Sequence, residues 1–290
     1  MRIRSLLTIL FLVFWAVPLA AQEPSDTVST GISWFNSLAE AKPLADSSKR
    51  QVLLALYTDW CRWCRVMDES TFADPGVIDL EKRLVFVRVD AEIDTATARR
   101  FAVWAYPTMV LTNSEGQEVD RVVGYVPPAQ FRQTIVDYLE GHGVLWDWEQ
   151  RARDKPGDPS AAFAQGEIYM RRGDFAKARG QFDQVLTRDP KNSSGRADDA
   201  LFAMGMMHRR EESWYKAIEE FKQIAKKFSK SEWLEDAAIY IPWLYAQAGD
   251  TSEALRHYRA FLKDFKGSQE REWVEGRIRQ LEPQPAEPTQ

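Results

Sequence analysis

Cysteine is almost missing from this chain: of 290 residues only Cys61 and Cys64 carry a thiol. A domain stapled by disulfides needs more of them across longer loops, so that architecture is excluded. Histidine is nearly as scarce. His142, His208 and His257 lie far apart with no ligand-like spacing, and structural zinc needs about four ligands, so no metal site is predicted. Arg65 stands where covalent haem attachment requires a histidine directly after the second cysteine, which removes that chemistry. No cofactor is predicted. An excess of positive charge is missing too: 38 Lys and Arg against 43 Asp and Glu give a formal charge of -5, which disfavours phosphate-driven nucleic-acid binding. The apolar run from Leu6 to Leu19, at 1.5 Å per residue in a helix, spans roughly 21 Å, short of a hydrocarbon core of about 30 Å.

What is present is aromatic surface to bury. With 15 Phe, 11 Trp and 9 Tyr in a chain that is 44% hydrophobic and 28% charged, neither a disordered polymer nor a membrane bundle fits. At roughly 100 to 200 residues per domain, the length suggests two domains. Residues 1–21 have Arg2 and Arg4, then the apolar run, then Ala20 and Ala21 before Gln22, the order of a cleaved secretory leader. Its removal takes the formal charge from -5 to -7. The expected product is soluble and exported, periplasmic or secreted.

Residues 22–30 read as a linker. Residues 32–41 read as a helix with Trp34, Phe35 and Leu38 on one face and Pro43 marking its end. Val52 to Tyr57 is a near-continuous apolar run of strand length, expected where a strand is covered on both faces. It leads directly into Asp59-Trp60-Cys61-Arg62-Trp63-Cys64. A helix follows to about Met67, and the next starts with Asp74 as N-cap and Pro75 at its first position. Leu84 to Val89 is a second buried strand; a short helix spans Thr95 to Val103. Tyr106-Pro107 opens a strand through Thr112, which turns at Asn113-Ser114-Glu115-Gly116 and returns over Gln117 to Tyr125. Phe131, Ile135, Val136 and Leu139 stripe a final helix.

That order, with Cys-x-x-Cys at a strand-to-helix junction and a proline opening a later strand, resembles the thioredoxin superfamily over about residues 31–141. Trp60-Cys61-Arg62-Trp63-Cys64 followed by Phe72-Ala73-Asp74-Pro75 is most similar to its periplasmic thiol-disulfide interchange branch. The resemblance implies a central mixed sheet flanked by helices. It also implies that Cys61 attacks a substrate disulfide and Cys64 resolves the mixed disulfide. It further implies that Pro107 is cis beside that pair, with the Tyr106 backbone pairing with substrate. Two places depart from thioredoxin proper: Ala55 stands for its buried acid and Phe86 for its lysine.

Thiol-disulfide exchange needs a thiolate, and a free cysteine with pKa about 8.5 is mostly protonated at neutral pH. The helix N-terminus expected at Cys61 supplies unpaired N–H groups and partial positive charge; Arg62 and Arg65 add to it or are ordinary surface charge. One of Trp60 and Trp63 is expected beneath the motif and the other exposed to substrate; Trp63, inside the dipeptide, is assigned the exposed place.

After a linker or first helix over 142–158, the chain turns helix-only. Ala178-x3-Phe182, Ala217-x3-Phe221 and Ala254-x3-Tyr258 recur after 39 and then 37 residues, the period of a helical-hairpin repeat. Gly166, Tyr169, Gly173, Phe175, Ala178, Phe182 and Pro190 make the first copy similar to the tetratricopeptide repeat. Pro242, in the third, predicts a kink or a late helix start. Ser268 is expected to cap a last helix bearing Val274, Ile278 and Leu281, completing an all-α repeat domain over 159–281. Residues 282–290 read as a disordered Pro-rich tail.

The expectation is an exported thiol-disulfide oxidoreductase, reduction slightly favoured. Its partners would be proteins carrying disulfides or thiols, a membrane or soluble redox partner, and a protein or peptide on the repeats. The alternative is a repeat-based binding or assembly scaffold with a non-catalytic thioredoxin-like domain.

Overall fold

The computed structural model describes residues Gly31 to Glu282; the leader over 1–21, the linker over 22–30 and the tail from residue 283 lie outside the described residues. Among the described residues no helix is long and apolar enough to cross a membrane.

The first half is built on five strands: β1 (Trp34–Phe35), β2 (Gln51–Tyr57), β3 (Leu84–Asp90), β4 (Thr108–Thr112) and β5 (Glu118–Val123), in spatial order β1-β3-β2-β4-β5. The first three are mutually parallel; β4 runs antiparallel to β2, and β5 antiparallel to β4. Alternation along the strands fills two cores. Leu53, Ala55, Phe86, Met109 and Leu111 meet Met67, Phe131 and Ile135 on one face. Val52, Leu54, Leu56, Val85, Val87 and Val110 meet Ala41, Ala45 and Ala98 on the other. Both faces being covered, the central strands need no polar alternation. The helices over them are α1 (Leu38–Ser48), α2 (Arg62–Glu69), α3 (Pro75–Ile78, continued by a 3-10 turn), α4 (Thr95–Arg100) and α5 (Pro128–Leu139).

The expected helix over 32–41 is displaced. Trp34 and Phe35 pair with Phe86 and Val87 as an edge strand, and Trp34 makes edge contacts with Phe72 and Phe86 at 5.0 and 5.5 Å. The helix starts later because Ser37 caps it, its hydroxyl accepting the Glu40 N–H, and it runs through Pro43 to a left-handed Lys49. Pro43 costs one i→i-4 bond, while Ala41 and Ala45 on the same helix are buried in the core. Asp74 caps α3 as expected, accepting from Gly76 and Val77, with Pro75 at the first position.

The second half is helical. After α6 (Leu145–Asp154) come three antiparallel pairs: α7 (Pro159–Arg171) with α8 (Phe175–Arg188), α9 (Ala197–Arg210) with α10 (Trp214–Lys227), and α11 (Leu234–Gln247) with α12 (Thr251–Asp264); α13 (Arg271–Leu281) ends the stack. The repeat is carried by one contact. A Cβ on Gly166 would fall 2.6 Å from the Phe182 ring, and one on Gly205 2.7 Å from Phe221. Small residues on the first helix of each pair thus let the second helix seat its aromatic. Pro242 occupies the corresponding place before Tyr258, and both are buried. The late start expected there does not occur: α11 is continuous from Leu234, with Pro242 inside it. Ser268 is not the last N-cap either; its hydroxyl accepts the Glu270 N–H one turn before α13 begins. Glu282, expected in the tail, accepts from Arg259 at 2.7 Å.

The two halves share a polar seam. Arg121, 2% exposed, donates to Glu118 and to the carbonyl of Phe101. Arg171 donates to the buried Asp120, and Arg172 to the carbonyl of Val119. Burial outweighs Arg171 and pushes the Asp120 carboxyl up; burial, with the Asp120 charge, pushes the Tyr138 hydroxyl up to about 12.

Candidate thiol-disulfide site

β2 ends at Tyr57, and the chain turns through Thr58, whose carbonyl accepts the Cys61 N–H at 3.2 Å. Cys61 is the N-cap of α2, in extended backbone geometry, with its Sγ accepting the Cys64 N–H at 3.0 Å. Cys61 and Cys64 form a disulfide with Cα atoms 5.3 Å apart. Each cysteine is only 4% exposed. Arg65 reaches back to the Asp59 carbonyl at 2.9 Å, tying the first turn of α2 to the loop before it.

The strand next to β2 supplies the second wall. Leu56 of β2 pairs with Thr108 of β4, so the residues before Thr108 lie at the same sheet end as the loop to Cys61. Those residues are Tyr106 and Pro107, joined by a cis peptide bond. The Pro107 carbonyl accepts the Gly124 N–H at 2.8 Å. Buried Thr71, just after α2, donates its hydroxyl to the Val126 carbonyl at 2.7 Å. The disulfide helix, the cis-proline loop and the turn after β5 are thus hydrogen-bonded to fixed backbone.

Both tryptophans are exposed, Trp60 at 67% and Trp63 at 54%, so the expectation that one lies beneath the motif is corrected. The space under α2 is already filled by Met67, Phe72 and Phe131. Each indole is instead held by a neighbour on the surface. Trp60 donates to the Glu92 carboxylate at 3.1 Å and meets Tyr106 edge-on at 6.0 Å. Trp63 stacks on Tyr125 at 5.6 Å. Partial burial, reinforced by the charges of Glu92 and Asp90, pushes the Tyr106 hydroxyl up. Arg62 is exposed beside Trp63.

The acid of thioredoxin proper is replaced by Ala55, which is buried and pairs with Arg88 on β3. Arg88 is engaged elsewhere, donating to Asp68 at 2.6 Å and lying over the Tyr57 ring at 4.4 Å. Phe86, in place of the lysine, faces the apolar core. Sequence reasoning does not find Tyr125 or Glu92. Neither belongs to the motif, and each reaches the site only through the fold.

A disulfide at a helix N-terminus, next to a cis-proline loop on a mixed five-stranded sheet, defines a thioredoxin-like domain, here followed by tetratricopeptide-type hairpins. Known proteins agree: residues 38–139 match the thioredoxin-like domain family and residues 159–192 the tetratricopeptide repeat family. The chain is 30% identical over 124 residues to the thiol:disulfide interchange protein DsbD of Pectobacterium atrosepticum, covering 41% of this chain and 22% of that protein. It is 31% identical over 125 residues to the protein of the same name from Klebsiella pneumoniae, covering 41% and 21%. The chain therefore spans about a fifth of the length of the curated relatives it matches. Among solved structures, a thioredoxin from Thermus thermophilus is 30% identical, with 37% of this chain and 90% of that one covered at a TM-score of 0.34. The oxidised C-terminal domain of Neisseria meningitidis DsbD is 20% identical, with 37% and 99% covered at a TM-score of 0.32.

Proposed function

We propose that this chain is an exported thiol-disulfide oxidoreductase that reduces disulfides in protein clients. The observation that carries the reading is the Cys61–Cys64 disulfide at the N-terminus of α2, with the Cys64 amide donated to the Cys61 sulfur. In the reduced form that amide and the helix N-terminus favour a Cys61 thiolate over the thiol.

The thiolate attacks one sulfur of a client disulfide; a Cys61–client bond forms and the other client sulfur leaves as thiolate. Cys64 then attacks Cys61 Sγ, releasing the second client sulfur and closing the Cys61–Cys64 disulfide. Two electrons pass to the client, and the protons of the attacking thiols end on the departing sulfurs. A dithiol donor must then reduce the pair again. Trp60, Trp63 and Tyr106 give the client an apolar platform beside the sulfurs, the Tyr106 backbone pairs with its chain, Pro107 fixes that loop, and Arg62 adds positive charge near the thiolate. The basic-then-apolar leader supports export to the periplasm or medium.

The test is the equilibrium reduction potential of the pair in glutathione and dithiothreitol buffers, read from Trp60 and Trp63 fluorescence. A reversible transition between about -120 and -270 mV, in the reducing half of that span, is expected. A value below about -300 mV, or no reversible transition, means an inert pair, and the scaffold alternative then takes its place.

A further inference from the structure

The segment that carries Tyr106 to the cysteine pair is held from the other half of the chain. It leaves α4 at Phe101, whose carbonyl accepts from Arg121 at 2.6 Å, and passes Ala102 in the left-handed region at φ +46°. An alanine there is strained, and such a residue persists only where its surroundings over-determine it. The repeats supply those surroundings. Gly173, at the turn between α7 and α8, packs its backbone against Ala102 and the Trp104 ring. Trp104 donates its indole N–H to the Arg171 carbonyl at 3.0 Å, and Phe175 of α8 meets that indole edge-on at 6.4 Å.

The closing contact comes from the second repeat. Arg210, the last residue of α9, lays its guanidinium over the Trp104 ring at 3.9 Å and donates to the Trp104 carbonyl at 3.4 Å. No carboxylate among the described residues pairs with it; burial, then the like charge of Arg209, pushes its guanidinium down. What Arg210 gains instead is an indole face, the best of the aromatic partners for a cation. Beyond Trp104 the chain is fixed to the sheet. The Ala105 carbonyl accepts the Thr108 hydroxyl at 2.7 Å, and the Pro107 carbonyl accepts the Gly124 N–H at 2.8 Å. Tyr106 therefore lies between one clamp made by the repeats and another made by the sheet. It is at most about 7 Å of extended chain from Trp104, and its ring touches Trp60 next to Cys61.

We infer that Arg210 is a positioning residue for thiol-disulfide exchange: by pinning Trp104 it fixes the Tyr106–Pro107 backbone on which the client chain pairs, so the second repeat helps to set the rate at which Cys61 reacts with polypeptide disulfides. The inference rests on the thiol-disulfide reading above. Arg210 acts through Trp104, not on the sulfurs. Attack needs the client sulfur in line with Cys61 Sγ, and a pairing loop that wanders places that sulfur less often, which costs rate. A disulfide without peptide groups does not use the loop and is indifferent to Arg210.

The experiment mixes the reduced full-length protein, followed by stopped-flow tryptophan fluorescence, with two oxidants in turn: scrambled ribonuclease, an unfolded chain carrying disulfides, and bis(2-hydroxyethyl) disulfide, which has no peptide group. Arg210 is exposed, so Arg210→Gln and Arg210→Lys leave the core filled, and circular dichroism checks each. The ratio of the ribonuclease rate to the small-disulfide rate is expected to fall about threefold in Arg210→Gln, the factor that matches one cation–π contact at a partly exposed site. It should fall less in Arg210→Lys, which keeps a cation at the ring. A ratio unchanged from wild type in Arg210→Gln, including the case where both rates fall together, overturns the inference. An equal fall in the two variants overturns it as well, because the cation over Trp104 would then count for nothing. Wild-type protein that reacts with neither disulfide overturns the thiol-disulfide reading, and the inference with it.

Discussion

Trp104 donates its indole N–H to the carbonyl of Arg171 at 3.0 Å, across the seam between the sheet and the first repeat. Arg171 is the last residue of α7, so its carbonyl has no partner within the helix. Gly173, just beyond, has φ +77° and brings the turn within contact of Ala102 and the Trp104 ring, where a Cβ would stand 3.5 Å from the Ala102 carbonyl. The redox loop is thereby fastened to a helix end that needs a donor.

Replacing Trp104 by Phe keeps a ring under Arg210 and removes only the donor and part of the volume. Arg121 still reaches the same carbonyl at 3.4 Å, so the expected loss is about 1 kcal/mol, read as a lower urea midpoint with an unchanged m-value. No change in midpoint would show that the indole bond adds nothing beyond what Arg121 and water supply.

The hairpin contact makes a prediction of opposite signs within one repeat. Gly166→Ala puts a methyl 2.6 Å from the Phe182 ring; overpacking of about 1 to 3 kcal/mol should exceed the helix-propensity gain of about 1 kcal/mol. Gly180, in α8 on the same hairpin, has nothing within 4 Å of the place a methyl would take, so Gly180→Ala should stabilise by about 0.5 to 1 kcal/mol. Urea titration of both variants decides it; the same sign for both would remove the packing argument.

Much of this is legible in local pattern. The strands β2 and β3 are long apolar runs, Cys61-x-x-Cys64 announces its own junction, and the 39- and 37-residue recurrences announce the hairpins. What escapes has no local signal. β1 is only Trp34–Phe35, too short for a period of two, and its two aromatics read equally well on a helix. Pro43 and Pro242 look like helix breaks, yet each lies inside a helix that buries neighbouring residues in a core, Ala41 and Ala45 in one, Ile241, Leu244 and Tyr245 in the other. Trp60 reads as lying beneath α2 because nothing in the chain order shows that Phe72 and Phe131 fill that space. The seam needs Trp104 under Arg210 of α9, about a hundred residues away, and Arg121 reads as one charged residue in a strand until Glu118 and the Phe101 carbonyl close around it.

Two histidines set an acid-side dependence of stability. Burial pushes the imidazoles of His208 and His257 down, against the pull of Glu211 and Glu253. The unfolded chain then binds protons that the folded chain refuses, so their contribution is complete above the unfolded value of about 6.5 and is lost as pH falls from there towards the folded values. The urea midpoint should drop between pH 7.5 and 5.5, and the drop should be smaller in His208→Gln/His257→Gln. Carboxylates raised by burial, such as Glu167 and Glu220, act with the opposite sign but are common to both proteins. An equal drop in the variant would assign the effect to other groups.

The last prediction concerns the sulfurs themselves. In Cys64→Ser the backbone amide of residue 64 remains, and so do the free N–H groups at the start of α2; both point positive charge at Cys61 Sγ. The Cys61 thiol should therefore titrate below the free value of about 8.5, measured by thiolate absorbance and by the pH dependence of alkylation. Cys61→Ser should show the reverse. Cys64 is buried one turn inside the helix with apolar Met67 and Phe72 close by in the chain and buried in the core, and desolvation penalises its thiolate. Ala55 leaves no carboxylate at the thioredoxin acid position to take its proton, so resolution should quicken as pH rises towards the Cys64 value. A Cys61 with an ordinary pKa would sink the electrostatic account of the site, because the helix N-terminus would then be failing to stabilise the one anion placed on it.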